Sequence, residues 1–186
     1  MKKMLLLAAL IGTFALTAPA ATWQGTCDLS FQVTETMNRK FGGTGAAEAF
    51  TVDVAANGAV QAASWKMEVQ PGKLSTKKEA RDKEMHKMFR LPEFATATGE
   101  VKAFDLATLS KEAGATNQLP FTLTIIGVSQ DLTAAVTNVK DDGSKLTFDA
   151  DFTIDMKTFD LKPKVLLGVF KVRNEVPVRA SFTLTR

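Results

Sequence analysis

Cysteine and histidine each occur once in this chain of 186 residues, as Cys27 and His86. A single cysteine leaves no internal disulfide, so packing alone must hold the fold. A single histidine makes a histidine-based metal site or a Ser-His-Asp relay hard to assemble. His86 lies in a basic segment with no histidine or cysteine at metal-ligand spacing, which predicts a solvated surface residue. Asp141 and Asp142 fall in a turn signal, while Asp149, Asp151 and Asp155 alternate along a strand pattern. None of them has the ligand spacing and central glycine of a calcium loop. A carboxylate pair for glycoside hydrolysis stays open, because the separation of two acids is not legible in a sequence.

Long apolar runs are also scarce. The run over residues 4–16 falls short of the roughly 20 apolar residues of a membrane-spanning helix. It follows Lys2 and Lys3 and precedes Ala18, Pro19 and Ala20, the layout of a cleavable secretory signal over residues 1–20. The expectation is a periplasmic protein without a stable membrane span, formed by one domain over residues 21–186. Charge of one sign is in short supply as well: the net charge of +3 falls to +1 once Lys2 and Lys3 are removed. Nucleic-acid binding loses its main support with them.

Alternation is what the chain does have. Residues 23–33 place apolar or small side chains at every odd position and polar ones at every even position, as in a strand with one face in a core. Cys27 is on the inward face, where a free thiol is inert. The same period returns at Phe50, Val52 and Val54, at Trp65, Met67 and Val69, and over residues 94–104 and 119–128. It recurs at Leu132, Ala134 and Val136, then over residues 145–156, and finally from Val176 to Leu184. Asn57 with Gly58, and Asp142 with Gly143, are hairpin signals. The glycines of residues 41–45 read as a corner between strands, since no helix with the Lys and Ser or Thr of a phosphate loop follows. Thr76 and Glu79 form a capping-box pattern opening one helix, about residues 77–89, ended by Leu91 and Pro92. Its apolar stripe carries Met85, Met88 and Phe89. Lys77, Lys78, Arg81, Lys83 and Lys87 read as a solvated face interleaved with acids, or as a basic rim for anionic head groups. The fold class is all-β: an eight-stranded antiparallel barrel with one α-helix packed across it, a size that is either filled by side chains or holds one small ligand.

Three segments, taken in order, give the chain a family likeness. Residues 81–89 with Pro92 and Phe94, the strand of residues 123–129 ending in Gly127 and Ser129, and the closing stretch of 152–163 with Lys171, Val172, Glu175 and Val176 resemble the YceI-like family of exported, lipocalin-like proteins. The likeness runs over nearly all of residues 21–186. Residues 157–160 read Lys, Thr, Phe, Asp where several members carry a serine or arginine, aspartate, phenylalanine and glycine. The resemblance implies a barrel whose apolar cavity binds a polyisoprenoid, quinone-like or fatty amphiphile.

The expected function is therefore a periplasmic carrier of a lipid-like small molecule, with no catalytic residues, no metal and no other cofactor. Phe31, Val33, Phe50, Leu123 and Ile125 are candidate wall residues from the earlier strands, and Phe148, Phe152 and Ile154 from the strand pattern of residues 145–156. Met85, Met88 and Phe89 are the candidate helical closure. Two alternatives belong to other classes: an enzyme with an acidic pair at the barrel mouth, and a stress-related interaction module with a filled barrel. A homodimer is compatible with all three.

Overall fold

A computed structural model describes residues 21–35, 37–57, 60–109, 116–163 and 172–186. The expected leader over residues 1–20, Gly58 of the first hairpin turn and Lys171 lie outside the described residues. Among the described residues nine strands run β1 (Ala21–Thr34), β2 (Lys40–Ala46), β3 (Phe50–Asn57), β4 (Val60–Val69), β5 (Ala97–Asp105), β6 (Asn117–Ile125), β7 (Val128–Asp141), β8 (Lys145–Asp155) and β9 (Glu175–Thr185). The helix α1 (Glu79–Met88) lies between β4 and β5.

All neighbouring strands are antiparallel, and β1 closes the barrel. One edge of β1 pairs with β9, from Gln24 opposite Thr185 to Phe31 opposite Val178. Its other edge pairs first with β3 over Ala21 to Gly25 and then with β2 over Asp28 to Thr34. Because β2 and β3 share that edge end to end, nine strands make eight staves. The eight-stranded barrel read from the sequence pattern is thus right, while the structure divides one stave between two strands.

That subdivision corrects the reading of residues 41–45. They form part of β2 instead of a corner, and their glycines make room for larger neighbours. A Cβ on Gly43 would lie 2.1 Å from the Phe31 ring, and one on Gly45 would lie 2.3 Å from Leu74. Two further boundaries move. Residues 126 and 127 leave the strand pattern to form the two-residue turn between β6 and β7, with φ of 44° at Ile126 and 78° at Gly127. Positive φ at a β-branched residue is unfavourable, and here Ile126 is held by burial of its side chain. The strand expected from Phe94 begins at Ala97.

The capping box does not form. Lys78 is the residue that precedes α1, and Lys77 before it is left-handed, with φ of 58°. Thr76 is turned away from the helix start: its hydroxyl donates to Asp82 Oδ1 at 2.6 Å and its N–H to the same oxygen at 2.7 Å. A carboxylate accepting two charge-assisted bonds outcompetes the cap.

Candidate functional site

Along each strand the inward positions change character from one barrel end to the other. Near the end where β1 begins, they are large and aromatic. Phe148 stacks on Phe182 with centroids 4.8 Å apart, and Phe50 and Trp65 meet the same ring edge-on at 6.3 and 6.1 Å. Val52, Val136 and Leu184 are fully buried around them. This half is filled. Cys27 belongs to it, 2 % exposed, and burial pushes its thiol up to about 12, with the neighbouring Asp28 charge adding to the effect. The thiolate is inaccessible at neutral pH, as expected for an inert cysteine.

The other half is hollow. A cavity of about 450 Å³ opens there, within the range of roughly 300–1,000 Å³ typical of small-molecule sites. Its wall comes from inward residues near one end of the strands: Leu29, Phe31 and Val33 of β1, Met67 and Val69 of β4, Ala97 and Gly99 of β5, Leu123 and Ile125 of β6. Phe152 and Ile154 of β8 and Val176 and Val178 of β9 complete it. Helix α1 covers the cavity with Ala80, Met85 and Met88, joined by Phe89 just after it, and the segments after β4 and β8 add Leu74, Met156 and Leu161. None of the ten residues of α1 is fully buried, so the helix rests on the opening without being part of the core.

Nine of the eleven candidate residues meet around this space: Phe31, Val33, Met85, Met88, Phe89, Leu123, Ile125, Phe152 and Ile154. Phe50 and Phe148 are not in its lining; they pack in the aromatic half. Periodicity finds the inward face of a strand but not the height along it, and height separates these two from the rest. Phe152 stands at the border, edge-on to Phe121 at 5.0 Å. Met67 and Val69 carried a legible signal, being in phase with Trp65. Leu74, Met156 and Leu161 lie outside the strands, where no period reports them. Four methionines, Met67, Met85, Met88 and Met156, contribute to the lining, which suits a wall that adapts to irregular apolar shapes.

Few charges reach the cavity. Glu35 is paired with Arg39 at 2.9 Å, Glu84 with Lys87 at 2.8 Å, and the Arg81 guanidinium lies 4.3 Å from the centre of the Phe41 ring. Beside them, the Thr76 hydroxyl and backbone N–H, with a bond from Ser75 Oγ at 3.0 Å, hold the Asp82 carboxyl below the usual carboxylate range. His86 differs from the solvated residue expected. It is half-buried, and its Nε2 is covered with no hydrogen-bond partner among the described residues. Among the described residues no group of histidine, cysteine, aspartate and glutamate is placed to hold a metal ion. A wider depression of about 810 Å³ crosses the outer face of β1, β2, β8 and β9, where Arg179 pairs with Asp151 at 2.7 Å. It runs over polar, outward-facing positions, whereas the apolar space inside the barrel suits a molecule that water rejects.

Comparison with known proteins agrees with this architecture. Burkholderia cenocepacia BcnA superposes with a TM-score of 0.64 at 20% identity, covering 84% of this chain and 95% of its own. A polyisoprenoid binding domain from Saccharophagus degradans superposes with a TM-score of 0.60 at 14% identity, covering 87% of this chain and 97% of its own. At such identities the likeness is one of fold. No curated protein matches the sequence. The profile of the YceI-like domain matches residues 24–184, nearly the whole barrel, and the chain belongs to that family.

Proposed function

We propose that this protein is an exported carrier that holds the apolar tail of a polyisoprenoid, quinone-like or fatty amphiphile in the hollow half of its barrel. The observation that carries this reading is the cavity of about 450 Å³ with an aliphatic, aromatic and thioether wall under a lightly seated helix. Each methylene moved from water into such a wall is worth about 0.8 kcal/mol, so a tail of about ten gains roughly 8 kcal/mol before the costs of ordering and association. Micromolar affinity needs about that much, which makes a long tail necessary and a short one insufficient. The polyisoprenoid binding named for the Saccharophagus domain supports the same class of ligand for this fold.

An enzyme with an acid pair draws less support, because Glu35 and Glu84, the carboxylates on the lining among the described residues, are each engaged by a neighbouring cation. A packed interaction module draws less as well, since half of the barrel is hollow. The leader-like residues 1–20 support export, and intact mass of protein from the cell envelope should show a species beginning near Ala21. The central test is organic extraction of the denatured, purified protein followed by mass spectrometry. A stoichiometric long-chain amphiphile is expected. Protein that yields none from any preparation, and takes up none from added lipid, would overturn the proposal.

A further inference from the structure

The rim of the cavity is chemically uneven, and the unevenness bears on the polar end of the cargo. Among the described residues three charged side chains reach the lining, Glu35, Arg81 and Glu84. Both acids are compensated, by Arg39 and Lys87 respectively. Arg81 forms no ion pair among the described residues; its guanidinium lies over the Phe41 ring at 4.3 Å, and Phe41 is itself part of the lining. Stacking on a ring fixes the plane of a guanidinium but leaves its N–H groups free along the edge, where they match the spacing of two oxygens on a carboxylate or phosphate. Arg81 belongs to the first turn of α1, and Phe41 to the start of β2, so both stand at the open end while the tail-accepting wall lies below them.

On the reading that the cavity receives an apolar tail, we infer that Arg81 is the head-group receptor and that the preferred cargo is an amphiphile ending in an oxyanion, a carboxylate or a phosphate. A neutral head, an alcohol or a quinone carbonyl, leaves the half-buried cation uncompensated beside apolar surface. An anionic head neutralises it through two parallel charge-assisted hydrogen bonds. The device also sets the direction of entry, tail first and head at α1.

Matched probes test this. Displacement of N-phenyl-1-naphthylamine from the purified protein is measured with palmitate against hexadecanol and with farnesyl phosphate against farnesol. The wild type is expected to bind at least one anion about tenfold more tightly than its alcohol at low salt, the size of effect that one charge-assisted contact supplies. Preference within only one pair identifies the oxyanion as carboxylate or phosphate. Arg81→Met keeps an apolar stem on Phe41 and should erase the preference, the anion losing far more affinity than its matched alcohol, and Arg81→Lys should retain part of it. Equal affinity for anion and alcohol in the wild type, or full preference surviving in Arg81→Met, overturns the inference and leaves the tail cavity standing. Failure of all four probes to displace the dye counts against the cavity itself.

Discussion

Asp82 shows how one side chain can fasten a lid. Its carboxylate accepts from the Thr76 hydroxyl, the Thr76 N–H and Ser75 Oγ, tying the start of α1 to the segment that leads out of β4. These bonds favour the ionised form and lower its pKa in the folded protein. The contribution is therefore complete above the ordinary carboxylate range near ~4 and is lost as pH falls through the lowered folded value. Asp82→Asn should reduce the urea midpoint at pH 7, and the gap to the wild type should close on acidification below that range. A gap that persists in acid would show that the bonds matter as geometry and not through the charge. Ile125 makes the opposite point, since it is 4 % exposed and belongs to the wall. Ile125→Glu places a carboxylate where an apolar tail offers no partner, which should cost several kcal/mol of tail binding in a variant with native circular dichroism. Wild-type lipid retention in that folded variant would exclude this wall as the tail site.

At the scale of elements, β2 is the stave whose composition looks least like a strand and whose role depends on it. Gly43 stands opposite Phe31 in register, and the ring lies directly over it. The pairing thins the wall where a bulky side chain has to fold back against it, leaving the cavity open. Gly25 under Phe50 and Gly99 under Met67 repeat the arrangement at other heights, where an added Cβ would lie 2.3 and 2.7 Å from those side chains. Gly43→Ala must move the whole Phe31 ring, because its three nearest atoms all lie within 2.7 Å of the new Cβ. Overpacking of this kind should cost about 1–3 kcal/mol of stability, measured by urea unfolding, and should reduce bound lipid as the ring turns into the cavity. Unchanged stability and occupancy would mean that the ring has free space to move into.

The whole molecule divides into a filled half that supplies stability and a hollow half that supplies binding, although the same strands build both. Phe148 and Phe152 are four residues apart on β8, face inward alike, and fall on opposite sides of that division. Phe148 is 2 % exposed against Phe182, whereas Phe152 is half-buried on the lining. Phe148→Ala should cost about 3–5 kcal/mol in unfolding and leave lipid content per folded molecule nearly unchanged. Phe152→Ala should cost less, most clearly in lipid-loaded protein, and should change the chain length of the lipid retained. Equal losses in the two variants would argue for one continuous packed core. Closure through β1 and β9 ties the halves together, so thermal unfolding is expected to be a single transition.

Period-two alternation determined the inward faces of β1, β4, β6, β8 and β9, because a pleated strand sends successive side chains to opposite sides whatever surrounds it. The resemblance to a family added the order of segments. A period carries no information about height, so the sequence placed Phe50 and Phe148 with Phe152 and Ile154, and only the register between strands separated them. Residues 41–45 were misread because glycine signals a bend when seen alone and a close approach when seen with the Phe31 and Leu74 side chains above it. Thr76 and Asp82 are six residues apart, a spacing that marks no local motif, and their bond exists because left-handed Lys77 turns the chain before α1 begins. Arg81 counted as one cation in a basic helix until the fold set it on Phe41, forty residues earlier in the chain, and gave Glu35 and Glu84 their own partners. Local chemistry decides which faces are apolar; where a cavity opens and which charge is left over at its rim depend on contacts between distant segments, and those exist only in the closed barrel.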